Sequence, residues 1–282
     1  MSPRPSAAPT ARLITPPASL ASCVRAYVVR DTTRYPLLPH EQRFNHFPAS
    51  THCSISWVIE GEVKAVETGL ATPRVALGGP QTQPRTSYNP GPVHVFIALF
   101  FPQALHALTG LDMSRHLDRF VPLDNVLDDP WQEVSRQVLQ APDDAARLAL
   151  LGQFLAPRWQ AAQAAGAAPG NALSDWVSAL TIQVAASGWG RSTRNVERRI
   201  RIWAGQPLGR MRRFRRAEQS FLNSRAEMVA GTVSWAAAAA QGGYADQPHF
   251  CRENRSVTGL SPGELARRLQ DDESYWVYRV WS

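Results

Sequence analysis

Arg194, Glu197, Arg198 and Arg201 stand at i, i+3, i+4 and i+7, so a helix over 192–203 gathers them on one face. Guanidinium groups fork onto phosphates and onto the guanine edge, and the chemistry such a face offers is recognition of a polyanion. Val196, Ile200 and Trp203 fall at i, i+4 and i+7 on another face, a stripe able to bury against a neighbour. Ser192 suits the N-cap, and Gly205 suits the C-terminal stop. The pattern returns in DQPHFCRENRSVT, residues 246–258. There Asp246 takes the cap, Phe250 and Val257 take the apolar places of Val196 and Trp203, and Pro248, Cys251, Arg252 and Arg255 point outward. Each copy follows an alanine-rich segment and a glycine turn, VAASGWGRS or WAAAAAQGGYAD. Each precedes a second glycine turn that opens another helix, GQPLGRMRRF or GLSPGELARRL. The repeat describes two helix-turn-helix units in one chain.

Other residues could do chemistry elsewhere. His40, His46, His52 and Cys53 lie close in sequence, but their spacing matches no metal-ligand motif, and the histidines read as surface or turn residues. A metal or effector pocket using His46, His52 or His94 is the competing reading. Cys53 in THCSISW and Cys251 within its helix read as buried or inert thiols. The chain has no GxSxG, Walker loop, HExxH or GxGxxG, and Asp31, Glu41 and Glu60 form no acid/base pair by spacing, so no enzyme is indicated. Trp57, Phe96, Phe100 and Phe101 could line an apolar effector pocket, but they read first as the core of a β-domain.

The elements that position these residues follow from length and texture. A chain of 282 residues has room for two cores. Its formal charge of +7 is concentrated: ten arginines lie between Arg191 and Arg216, opposed only by Glu197. Such density attracts nucleic acid. Lys64 is the only lysine, a skew that reflects coding composition more than binding. Three dispersed cysteines argue against a disulfide framework and for a reducing cytoplasm. No run approaches eighteen apolar residues, and neither export nor membrane insertion is expected.

Residues 1–18, rich in Pro, Ala and Ser, read as disordered. RAYVVR, SISWVIEG, RVALGG and VHVFIALF read as short strands of a β-rich domain over 19–130, with GEVKAVETG as a weaker strand. TQPRTSYNPGP is too turn-rich for a central strand, and PQALHALTGL reads as a helix from Pro102 to Gly110. A helical segment and linker occupy 131–170, and a helical domain occupies 171–270. Within it RMRRFRRAEQSFLNSRAEM is a long helix joining the two units. The aromatic tail 271–282 reads as strand-like. The fold class is α+β, β-rich first and all-α second.

GRSTRNVERRIRIWAGQPL and GGYADQPHFCRENRSVTGLSPGEL together resemble the DNA-binding domain of AraC/XylS-type transcriptional regulators. In the second stretch Ser261 caps, Pro262 opens the helix and Glu264 closes a capping box. The resemblance implies two recognition helices in successive major grooves, about one turn or ~34 Å apart. By position it implies base-reading roles for Arg194, Glu197, Arg198, Gln247, Pro248, Cys251 and Arg252. It implies phosphate contacts for Thr193, Arg199, Arg212 and Arg213. It further implies a β-rich, cupin-like N-terminal domain that senses an effector or mediates oligomerisation. The partners expected are double-stranded DNA at an operator or promoter, RNA polymerase, a small-molecule effector and a second copy of the chain, with no cofactor and no membrane. The competing function is a DNA-repair protein or other enzyme that uses the same domain for targeting. Asn254 and Gly242 depart from the family pattern, which favours apolar residues at both places. Pro248 offers no side-chain hydrogen bond. A second unit less stable and less discriminating than the first is therefore expected.

Overall fold

The computed structural model describes residues 10–165 and 193–281. Its strands are β1 (Thr10–Ile14), β2 (Val24–Asp31), β3 (Phe44–Phe47), β4 (Cys53–Glu60), β5 (Lys64–Ala65), β6 (Val75–Gly78), β7 (Arg85–Tyr88), β8 (His94–Phe100) and β9 (Phe120–Pro122). Six pair antiparallel in the order β1-β2-β8-β4-β6-β9, and three form a second sheet, β3-β7-β5.

Alternation along the central strands sorts the two faces of the larger sheet. Cys53, Ile55 and Trp57 of β4 share one face with Phe96, Ala98 and Phe100 of β8, and all six are buried. Helices α1 (Pro102–Thr109), α2 (Asp129–Gln140) and α3 (Asp144–Ala164) cover that face with Leu105, Trp131, Val138, Leu155 and Trp159. Trp57, Phe96, Phe100 and Phe101 are thus core, as expected from their types. The buried Arg147 fastens α2 to α3, donating to the Val138 and Ala141 carbonyls at 3.2 and 2.8 Å and to Asp144 at 3.0 Å. Ser54, Ser56, Val95, Ile97 and Leu99 look the other way, towards the smaller sheet. There they wall a cavity of about 240 Å³.

The helical region holds α4 (Thr193–Ala204), α5 (Leu208–Ala230), α6 (Trp235–Gln241), α7 (Gln247–Thr258), α8 (Pro262–Asp271) and α9 (Trp276–Val280). The fold class is the one expected, β-rich and then helical. Ile200, Ala204 and Met211 nonetheless belong to the same buried cluster as Phe101, Leu105 and Met113. The segment joining α3 to α4, including the Ser192 cap and the first alanine-rich turn, lies outside the described residues.

Three local expectations need correcting. Thr10–Ile14 are not disordered: they pair with Tyr27–Asp31 as an edge strand, and their order comes from a partner that composition cannot reveal. β7, inside TQPRTSYNPGP, is the central strand of the smaller sheet. Its prolines, Pro84 and Pro90, flank the ladder and take no donor from it. The tail is helical, a 3₁₀ turn (Glu273–Tyr275) followed by α9. Its aromatics are buried on several sides, so they show neither helical nor strand periodicity.

Candidate nucleic-acid interface

Helix α4 divides its faces as its sequence directs. Arg194, Glu197, Arg198 and Arg201 are exposed, whereas Ile200 and Ala204 are fully buried against the N-terminal half. The contact is made by α1 and by the 3₁₀ turn Met113–His116. Trp203 packs beside the His106 ring, centroids 6.0 Å apart, and Arg199 lies 5.8 Å over Trp203. Arg199 is therefore half-buried along its stem, while Arg212 and Arg213, on α5, are exposed. Thr193 is the first residue of α4. Gly205 ends the helix with φ +74°, and a Cβ there would sit 3.0 Å from the Met113 carbonyl oxygen. Glycine supplies both the left-handed turn and the close approach to the other half.

The second unit is α6, a glycine turn and α7. Ser234 caps α6 through the Ala237 amide at 3.4 Å. Gly242 adopts an ordinary backbone, but a Cβ on it would meet Ser220 Oγ at 2.4 Å and the Tyr244 ring at 2.7 Å. The departure from an apolar residue at this place is what lets Tyr244 tuck into the turn. Asp246 caps α7 by accepting from the His249 amide at 2.6 Å, as its type predicted. Gln247, Pro248, Arg252 and Arg255 are exposed, and Cys251 is half-buried beside Ala238, Tyr244 and Phe250. Phe250 is 1% exposed between the Trp235 and Tyr244 rings. Ser261 and Glu264 form the expected capping box on α8.

A polar brace ties α7 to α5. Arg216 of α5 donates from Nε to Glu253 Oε1 at 3.0 Å and from Nη2 to Oε2 at 2.5 Å. Tyr244 donates to the same carboxylate at 3.1 Å, and the Arg216 guanidinium lies 4.5 Å over its ring. Burial, reinforced by the Glu253 charge, pushes the Tyr244 hydroxyl up to about 12, and the hydrogen bond to Glu253 raises Arg216. Glu253 falls on the apolar stripe with Phe250 and Val257. A lone acid on a buried stripe was the only sequence signal that it had a partner. Asn254, 3% exposed, accepts from the Thr258 hydroxyl at 3.1 Å and faces the loop Pro48–Thr51 across a small cleft. The buried amide oxygen is thus satisfied within its own helix. The Ala49 amide donates 2.7 Å to the Val257 carbonyl, seating the end of α7 on the N-terminal half.

The other candidates are dispersed. His46 stacks on Tyr275, centroids 4.5 Å apart, His94 meets Asp144 at 3.1 Å, and His52 is buried. Among the described residues no three His, Cys, Asp or Glu side chains gather as a metal site. Cys23 and Cys53 are fully buried, and burial pushes both thiols up, away from thiolate. Among the described residues no helix is long and apolar enough to cross a membrane.

The family model for a domain of unknown function (DUF6597) matches residues 12–122, the sheet-forming part of the N-terminal half. No curated protein matches the chain. Among solved structures, ToxT from Vibrio cholerae is 12% identical, with a TM-score of 0.35, over 82% of this chain and 95% of its own. An apo form of a ToxT variant reaches a TM-score of 0.39 at 12% identity, covering 86% and 98%. ToxT bound to an unsaturated fatty acid gives 0.36 at 14% identity, covering 80% and 91%. Likeness at these scores gives no residue a role.

Proposed function

We propose that the chain is a sequence-specific DNA-binding transcriptional regulator of AraC/XylS type, acting in the cytoplasm. The observation that carries the reading is the repeated arrangement itself. Two helices, α4 closed by Gly205 and α7 capped by Asp246, are each held by a buried apolar stripe and leave a basic polar set exposed. They are tied by one long arginine-bearing helix, α5. In this reading Arg194, Glu197, Arg198, Gln247, Pro248, Cys251 and Arg252 face the bases. Thr193, Arg199, Arg212 and Arg213 hold phosphates, which position the protein without reading sequence. The β-rich half senses a small molecule or pairs subunits, and RNA polymerase is the downstream partner. Regulation then requires two states of the molecule that differ in DNA affinity.

Selection of bound fragments from random DNA tests the reading, with wild type run beside Arg194→Ala/Arg198→Ala. The expected result is a site with two elements about one helical turn apart, weakened by the double change. Binding that is salt-sensitive but motif-free, and indifferent to those substitutions, would reduce the arginines to phosphate grips and sink the reading. Arg194→Ala and Arg198→Ala should each relax specificity more than Gln247→Ala or Arg252→Ala. Equal losses would contradict the weaker second reader.

A further inference from the structure

Past α8 the chain runs into a short tail, and the tail grips the β-rich half residue after residue. Glu273 accepts from Arg30 of β2 at 2.7 Å. Ser274 Oγ donates to the Glu41 carbonyl, in the 3₁₀ turn His40–Arg43, at 2.8 Å. Tyr275 stacks on His46 of β3, centroids 4.5 Å apart. Trp276 Nε1 donates to Asn45 Oδ1 at 2.8 Å, and its ring meets Phe47 edge to face. Farther along, the Arg25 guanidinium lies 4.9 Å from the centroid of the Trp281 ring. The same tail is fastened to the helical region. Arg225 of α5 donates to the Arg279 carbonyl at 2.5 Å, and Phe221 packs on Tyr278, centroids 6.1 Å apart. Leu265 and Leu269 of α8 share one buried cluster with Tyr275, Trp276, Val277 and Val28 of β2. Movement of the tail is therefore movement of α8, which packs on both α5 and α7.

Opposing terms act on this contact. Burial of the Tyr275, Trp276 and Tyr278 rings favours it. Its polar part does not. The buried Arg30 Nε and the buried Tyr278 hydroxyl have no hydrogen-bond partner, and water would satisfy both if the tail lifted. Arg30 is only 3% exposed, and an ion pair taken that far out of water gains little over two separately hydrated charges. Groups that gain from exposure, set among rings that gain from burial, suit a contact that both forms and releases.

We propose that the tail from Glu273 to Trp281 is a releasable clasp, which holds the second helix-turn-helix unit against the β-rich half, and that the chain binds its operator with the clasp open. Reading two successive grooves requires α4 and α7 to take the spacing that DNA dictates, with α5 as the link between them. With the clasp shut, α7 is tied through α8 and the tail to β2 and β3, while α4 is seated on α1. The sheet, rather than the DNA, then sets their spacing. The consequence for DNA rests on the regulator reading; the clasp itself does not.

Hydrogen exchange on the full chain reads the clasp without DNA. Trp276→Ala should speed exchange in the tail, in β3 and in α8 together, by about tenfold or more, and leave β4 and β8 as protected as in wild type. Since Trp276→Ala could fail to fold, Glu273→Gln decides: it keeps the shape of the tail, removes its charge, and should speed the same segments to a smaller extent. Unchanged exchange in Glu273→Gln, or equal loosening of β4 and β8, would make the tail ordinary core and overturn the clasp. Affinity for the selected operator then reads the gating. If the clasp is shut nine-tenths of the time, its release should tighten DNA binding by up to about tenfold. A tail that only stabilises the fold would leave affinity unchanged or lower it, and that result in Glu273→Gln would overturn the gating. Should the DNA selection yield no motif while exchange shows the clasp opening, the regulator reading falls and the clasp stands.

Discussion

The two helices that expose the basic sets, α4 and α7, are built on different foundations. Among the described residues the first packs on the other half: Ile200 and Ala204 of α4 are buried against α1 and the turn Met113–His116 of the β-rich half. The second brings its own core, with Trp235, Ala238, Ala239, Tyr244 and Phe250 packed together and Arg216, Glu253 and Tyr244 bracing α7. It touches the other half at its end, through Ala49 and Val257. The difference teaches where a signal from the N-terminal half would be felt. Any shift of α1 moves the first helix directly. The second responds through α5 and the seat under Val257.

The comparison breaks most readily in the cores. Phe250→Ala should cost about 3–5 kcal/mol and Ile200→Ala about 2–5 kcal/mol in urea unfolding. Hydrogen exchange should separate the two, since Phe250→Ala loosens 235–258 alone whereas Ile200→Ala loosens α4 together with α1. Identical exchange patterns would erase the distinction. A smaller effect is expected at the brace. Glu253→Ala removes the acceptor of Tyr244 and Arg216 and should cost about 1–3 kcal/mol, moderated because Arg216 can turn to water. The second unit should lose DNA discrimination with it while the first keeps its own, which half-site competition would read.

Acid should act on the second unit's seat. Burial, helped by Arg25, holds the His52 imidazole down at about 3, against 6.5 for the free group. Between those values the unfolded chain binds a proton that the folded chain refuses, so stability falls as pH drops from about 6.5 towards 3. His52 contributes at most ~1.4 kcal/mol per pH unit to that slope. Urea midpoints against pH should therefore flatten in His52→Gln, and an unchanged slope would acquit this residue. Smallest of all, Arg199→Ala should cost ~0.5–1 kcal/mol by uncovering Trp203, with no change in the second unit.

Much of the helical region was legible because its signals are local. Asp246, Gly205 and the Ser261–Glu264 box act within one turn of themselves, and the stripes of Phe250/Val257 and Val196/Ile200/Trp203 are periodic. The outward sets of both helices followed from the same periodicity. What stayed hidden depends on partners far along the chain. Arg216 read as one basic residue among ten, and only packing shows that Glu253 takes it as an internal brace. Gly242 looked like a departure until the Tyr244 ring filled the space a Cβ would need.

The sequence by itself determined where helices start and stop, which of their faces are apolar, and the alternation that makes β4 and β8 two-faced. Those properties are set by backbone propensity and by side chains within a few residues of one another. Only the tertiary structure decided that Thr10–Ile14 form an edge strand, that β7 is central in its sheet, and that Trp276 reaches Asn45 across 231 residues of sequence. Such pairings offset their chain entropy only when the distant surfaces meet, so no local pattern carries them.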